Sequence, residues 1–202
     1  MNKNIIITGV ARSGKTTLST LISKKLNYNL LSIDDIVSGL EAYPELKIHH
    51  NGNMEEVSKN IAPFIKRYLK ETCNNKAYYQ GMRYVIEGTY INFEEIIPFL
   101  NEGKCKDRFE IIGLVFEDIS EEELYTLIKN NDTDDDWTYW CNDEELKGNI
   151  RYFIERNNYF KEKFQKYGIK TFTTLFNREN TFNEILHDLE KSPKDTIYSN
   201  KK

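Results

Sequence analysis

The feature that most constrains this chain is the octapeptide Gly9-Val10-Ala11-Arg12-Ser13-Gly14-Lys15-Thr16, which matches GxxxxGK[ST] at every fixed position. The glycines let the backbone fold tightly, so that successive N–H groups point at one anion. A helix opening at the end of the loop adds its positive N-terminus. Lys15 is the residue type that bridges outer phosphates, and the Thr16 hydroxyl can ligate Mg²⁺. A random chain of this length would show the pattern about one time in a hundred. The flanks narrow the reading further. Ile5-Ile6-Ile7-Thr8 is a β-branched run that reads as a buried parallel strand. Thr16 to Leu26 reads as a helix with Leu18, Leu21, Ile22 and Leu26 on one face. The loop thus sits between strand and helix, where its chemistry needs it. Phosphate contacts are expected from Gly9, Val10, Ala11, Arg12, Ser13, Gly14, Lys15, Thr16 and Thr17.

The rest of the chain alternates strand and helix signals. Leu30 to Ile33 reads as a short strand ending at Asp34-Asp35, Tyr84 to Ile86 as a third strand stopped by Glu87-Gly88, Ile111 to Phe116 as a fourth and Ile169 to Thr173 as a fifth. Amphipathic helices are expected over Met54 to Cys73, Phe93 to Leu100, Ser120 to Lys129, Asp143 to Tyr167 and Thr181 to Leu189. Ser120 followed by Glu123 is a capping-box signature, and Gly168 is placed to end the longest helix. Such alternation requires crossover connections, hence an α/β fold with a parallel sheet and helices on both faces. A chain of 202 residues fits one domain, taken as residues 1–190 with a polar tail over 191–202.

Composition removes several function classes. Lys and Arg number 28 against 32 Asp and Glu, a net charge of −4, so no broad positive field meets a nucleic-acid backbone. Cys73, Cys105 and Cys141 are far apart and form no CxxC pair, which disfavours a zinc knuckle or disulfide framework and fits reduced thiols in a cytoplasmic protein. The apolar start is too short for a signal peptide, and no stretch is long and apolar enough to span a bilayer. No aspartate is followed by glycine three residues on, and Asn75-Lys76 continues as Ala77-Tyr78, so the DxxG and NKxD motifs of switch GTPases are missing.

In motif order and layout over about residues 1–190, the chain resembles the P-loop kinase group that includes adenylate, shikimate, gluconate and nucleoside kinases. The resemblance implies a three-layer fold with five parallel strands in spatial order 2-3-1-4-5, an acceptor-binding region about 35–80, and a small lid about 130–156. It also implies ATP and Mg²⁺. Asp34, with Asp35 as rival, stands where an acidic residue of that group contacts the acceptor. A carboxylate there can take the proton of an attacking hydroxyl; either aspartate could instead cap the following helix. Glu87, in Val85-Ile86-Glu87-Gly88-Thr89, stands where adenylate kinases carry an aspartate that organises Mg²⁺ through water.

Departures from that group matter as much. Tyr90-Ile91 replaces the proline and arginine of adenylate kinases, and 130–142 holds Asp132, Asp134, Asp135 and Asp136 but no arginine. A second phosphate needs cationic partners; the acceptor expected here is therefore an uncharged or cationic hydroxyl compound rather than a nucleotide. Arg156 and Arg151 are candidates to close over the transferred phosphoryl group, and Arg12 is another. His49 and His50, beside Asn51-Gly52-Asn53, fall in the acceptor region. Trp137 and Trp140 either pack under the lid or stack on a ring. Asn177, with Arg178, follows the fifth strand, where the resemblance implies contact with adenine. The residues thus point to an ATP-dependent small-molecule kinase. An ATP-binding regulatory module without phosphotransfer and a 5′-hydroxyl polynucleotide kinase stand as alternatives. Oligomeric state is not readable from the sequence.

Overall fold

Six consecutive buried residues, Asn4–Gly9, form the central strand β1, and everything else is arranged about it. The computed structural model describes residues 3–50 and 52–191. Asn51 of the expected acceptor region and residues 192–202 of the expected tail lie outside the described residues. The remaining strands are β2 (Asn29–Ser32), β3 (Tyr84–Glu87), β4 (Phe109–Val115) and β5 (Lys170–Thr173). All pair in parallel, in the order β2-β3-β1-β4-β5, the order implied by the resemblance.

The side chains of β1 alternate, as a strand's must. Ile5 and Ile7 pack with Leu18 and Ile22 of α1 (Lys15–Leu26) and with Phe182, Ile185 and Leu186 of α8 (Arg178–Lys191). Ile6 faces the larger core on the opposite side. That core is built on α2 (Ile33–Leu40), α3 (Met54–Thr72), the one-turn α4 (Lys76–Tyr79) and α5 (Phe93–Leu100), together with α6 (Glu121–Asn131) and α7 (Asp143–Tyr167). Burial on both faces explains why the strand is a continuous apolar run. Among the described residues no helix is long and apolar enough to cross a membrane.

Side chains set the helix starts. Asn53 caps α3, Asn92 caps α5, and full capping boxes open α6 (Ser120 with Glu123) and α7 (Asn142 with Glu145). Gly168 ends α7 in the left-handed conformation, at φ 62°. Two of the boundaries that differ from the sequence reading bear on the site. Asp34 and Asp35 do not end a strand but fill the first turn of α2, where the helix dipole favours acids. Neither caps it; the Ser32 hydroxyl does, accepting the Asp35 N–H at 3.2 Å. The last helix begins at Arg178 rather than Thr181, three residues closer to the sheet.

Candidate active site

The carboxyl ends of β1, β2 and β3 open on one side of the sheet, and Lys15, Asp34, Asp35 and Glu87 gather there. In the loop after β1, Gly9 approaches β4 so closely that an added Cβ would lie 1.9 Å from the Leu114 carbonyl oxygen. Only glycine fits. Val10 is fully buried; its carbonyl accepts from the Ser13 hydroxyl at 2.8 Å and from the Lys15 ammonium at 2.9 Å. Gly9, Val10 and Ser13 therefore shape the loop from behind. Ala11, Arg12, Gly14, Lys15, Thr16 and Thr17 line a cavity of about 660 Å³ in front of it.

Lys15 is 6% exposed, and burial lowers its pKa against the opposing charges of Asp34 and Glu87. Glu87, at the end of β3, is 2% exposed; burial and then the Asp34 charge raise its pKa, with Lys15 acting the other way. The Thr16 hydroxyl lies 3.5 Å from Glu87 Oε1, while Glu87 Oε2 is buried with no hydrogen-bond partner among the described residues. An orphaned carboxylate oxygen beside a threonine hydroxyl fits a hydrated divalent cation, which would offset the cost of that burial.

Asp34 lines this cavity and also a smaller one of about 390 Å³, shared with Thr16, Leu30, Ser32, Asp35 and Glu87. Asp35 lines only the smaller one. Asp34 Oδ1 accepts the Thr89 N–H at 3.4 Å, so the loop after β3 helps to aim it. In the region expected to meet the acceptor, His50 Nε2 lies 2.9 Å from the Ser38 hydroxyl, and His50 Nδ1 3.2 Å from that of Tyr90. Burial, and then the charge on Asp34, pushes the Tyr90 phenol up to about 12. Thr89 and the His50–Tyr90 pair had no distinguishing sequence signal beyond their position after β3 and in the expected acceptor region.

The two candidate arginines on α7 part company. Arg151 is exposed. The Arg156 side chain is 12% exposed and packs over the Tyr159 ring at 4.1 Å, with Nη2 3.9 Å from Glu55 at the start of α3. Its Nε and Nη2 are buried without a hydrogen-bond partner among the described residues. Neither arginine lines the 660 Å³ cavity. Arg12 does, and it is held by Asp132 and Asp136. Leu124, Leu127, Ile128 and Leu175 give the same cavity an apolar part of its lining, and Arg178 lines it too. Asn177 lies outside the lining and holds the Asn180 amide at 2.7 Å. Trp137 both lines the cavity and packs edge-on against Phe153 at 6.0 Å; Trp140 is 72% exposed.

No protein-family model matches the chain, and no curated protein does. Solved structures do match. A gluconokinase from Sinorhizobium meliloti is 12% identical, with a TM-score of 0.58 over 94% of this chain and 92% of that one. A shikimate kinase from Bacteroides thetaiotaomicron is 17% identical, with a TM-score of 0.54 over 93% and 98%. A shikimate kinase from Acinetobacter baumannii, solved in complex with shikimate, is 15% identical, with a TM-score of 0.53 over 95% and 96%. At these identities the likeness is one of fold: the chain has the P-loop kinase fold.

Proposed function

We propose that this chain is a Mg²⁺-ATP-dependent phosphotransferase that moves the γ-phosphoryl group to a hydroxyl of a small molecule. The observation that carries the reading is the convergence of Lys15, Thr16, Asp34 and Glu87 at the open ends of three strands, in front of a loop built to surround phosphate. The kinase fold of the neighbours supports it.

In this reading the loop N–H groups and the Lys15 ammonium hold the polyphosphate, and the ammonium exchanges the Val10 carbonyl for phosphate oxygens. Thr16, and Glu87 through water, would hold Mg²⁺, which supplies charge neutralisation at the β- and γ-oxygens. The apolar wall of Leu124, Leu127, Ile128 and Leu175 takes the planar base. Asp34 lies where the two cavities meet and accepts the proton of the acceptor hydroxyl. The hydroxyl oxygen forms its bond to the γ-phosphorus as the bond to the β-phosphate oxygen breaks, and ADP leaves. Asp34 is preferred to Asp35 because it alone lines the cavity that holds Lys15. Arg156, with two buried nitrogens that make no hydrogen bond among the described residues, is preferred to the exposed Arg151 as the α7 cation that meets the acceptor or the transferred group.

The acidic stretch 130–142, which carries no arginine, favours a second reading, an ATP-binding regulatory module. A single experiment separates the two. Wild type and Asp34→Asn are incubated with Mg²⁺-ATP and a panel of small hydroxyl compounds, and phosphorylated products are followed by ³¹P NMR. The kinase reading expects transfer to at least one acceptor by the wild type. It also expects a loss of at least about 100-fold in the variant, with ATP affinity nearly unchanged. ATP binding without transfer to any acceptor favours the regulatory module. Full transfer by Asp34→Asn removes Asp34 from the mechanism.

A further inference from the structure

We propose that Asp132 and Asp136 form an autoinhibitory clasp on the phosphate loop, one that releases Arg12 only when a polyphosphate takes the carboxylates' place. The inference rests on the reading of the 660 Å³ cavity as a polyphosphate site and adds a regulation to it.

Arg12 sits inside the loop at φ 65°, a left-handed conformation that glycine adopts freely and other residues adopt at a cost. What the position gains is a guanidinium projecting from the loop into the cavity lining. Its Nη1 and Nη2 donate to Asp136 Oδ1 and Asp132 Oδ1. A guanidinium fork held between two oxyanions is the arrangement that phosphate oxygens also satisfy. The pairing is partly dry: the side chains of Arg12, Asp132 and Asp136 are 21%, 5% and 29% exposed. It is therefore stronger than an ordinary surface ion pair.

The Asp136 carboxylate and the Asp132 backbone are held by their own segment. The second oxygen of Asp136 accepts the Thr133 N–H at 3.1 Å and the Thr133 hydroxyl at 3.3 Å. The Asp132 N–H closes the last turn of α6 onto the Ile128 carbonyl at 2.8 Å. The Arg12 contact also holds the Asp136 carboxyl below the usual aspartate range. The other two cations of the cavity are turned inward as well. Lys15 is on the Val10 carbonyl, while Arg178 donates to the carbonyls of Thr174 and Arg12, each at 3.1 Å. Asp135 and Asp136 line the same cavity. A polyphosphate entering it meets like charge at the lid and must compete for Arg12, so part of its binding energy opens the clasp.

The test uses the full chain and calorimetric titration with Mg²⁺-tripolyphosphate and Mg²⁺-ATP. The double variant Asp132→Asn/Asp136→Asn keeps the shape of the clasp and removes its charge. It is expected to bind both ligands about tenfold more tightly than wild type. Asp134→Asn removes an exposed charge outside the cavity lining and is expected to change affinity less than about twofold. Arg12→Gly suits the local backbone and removes the clasped cation. Without ligand, both it and the double variant should show faster amide exchange over 132–137 than wild type. Equal or weaker binding by the double variant, or unchanged exchange in Arg12→Gly, overturns the clasp alone. Failure of the wild type and the double variant to bind either ligand overturns the polyphosphate site and the clasp together.

Discussion

Glu87 shows how one residue can carry a cost for the fold. Its carboxylate is 2% exposed, one oxygen has no hydrogen-bond partner among the described residues, and burial beside Asp34 raises its pKa above the ordinary 4.5. Between 4.5 and the raised value the folded protein holds a proton that the unfolded chain has released, so stability falls as pH rises through that window. The wild-type thermal midpoint should therefore carry a component that declines with pH above 4.5, and Glu87→Gln should lack it. Mg²⁺ with ATP should recover stability on the alkaline side of the window in wild type and much less in the variant. A midpoint with the same pH dependence in both proteins would show that Glu87 is not the strained carboxylate described here. The residue was legible in the sequence because Val85-Ile86-Glu87-Gly88 marks a strand end. Its contact with Thr16, 71 positions away, was not. The Arg12 clasp was hidden for the same reason: its partners lie 120 and 124 positions along the chain.

At the scale of elements, α7 is held to the sheet by contacts that leave little freedom. The Asn157 side chain accepts the Phe116 N–H at 2.7 Å and donates to the Phe116 carbonyl at 3.3 Å, satisfying both backbone groups just beyond β4. Within β4, Gly113 faces the Phe164 ring, and a Cβ there would lie 2.5 Å from its carbons. Phe164 is 1% exposed and packed among Phe93 and Phe160, so it has no room to retreat. Gly113→Ala should therefore destabilise the fold by about 1–3 kcal/mol, seen in urea unfolding as a lower midpoint at nearly constant slope. An unchanged midpoint would mean that α7 packs more loosely on β4 than described. Long, strongly patterned elements such as α3 and α7 were legible, because their apolar stripes and capping residues agree. The helix after Asp34-Asp35 was anticipated only without bounds, and the four-residue α4 not at all. Four residues are barely one turn, and the start signals Ser32 and Asn75 also occur in ordinary loops.

For the whole molecule, alternation of strands and helices dictated a parallel sheet covered on both faces, but not which strands lie side by side. The order β2-β3-β1-β4-β5 came from the resemblance and was not derivable from periodicity. That order puts β1 at the centre and brings the ends of β2 and β3 beside the phosphate loop, so Asp34 and Glu87 meet Lys15. The proposed phosphotransfer depends on one physical event, the capture of a triphosphate in front of that loop. Calorimetric titration of wild type and Lys15→Ala with ATP in the presence of Mg²⁺ tests it most directly. Saturable one-to-one binding by wild type, weakened by about 30- to 100-fold in the variant, is the result expected from loss of a charge-assisted contact to phosphate. No binding by wild type, or equal binding by the two proteins, would contradict it.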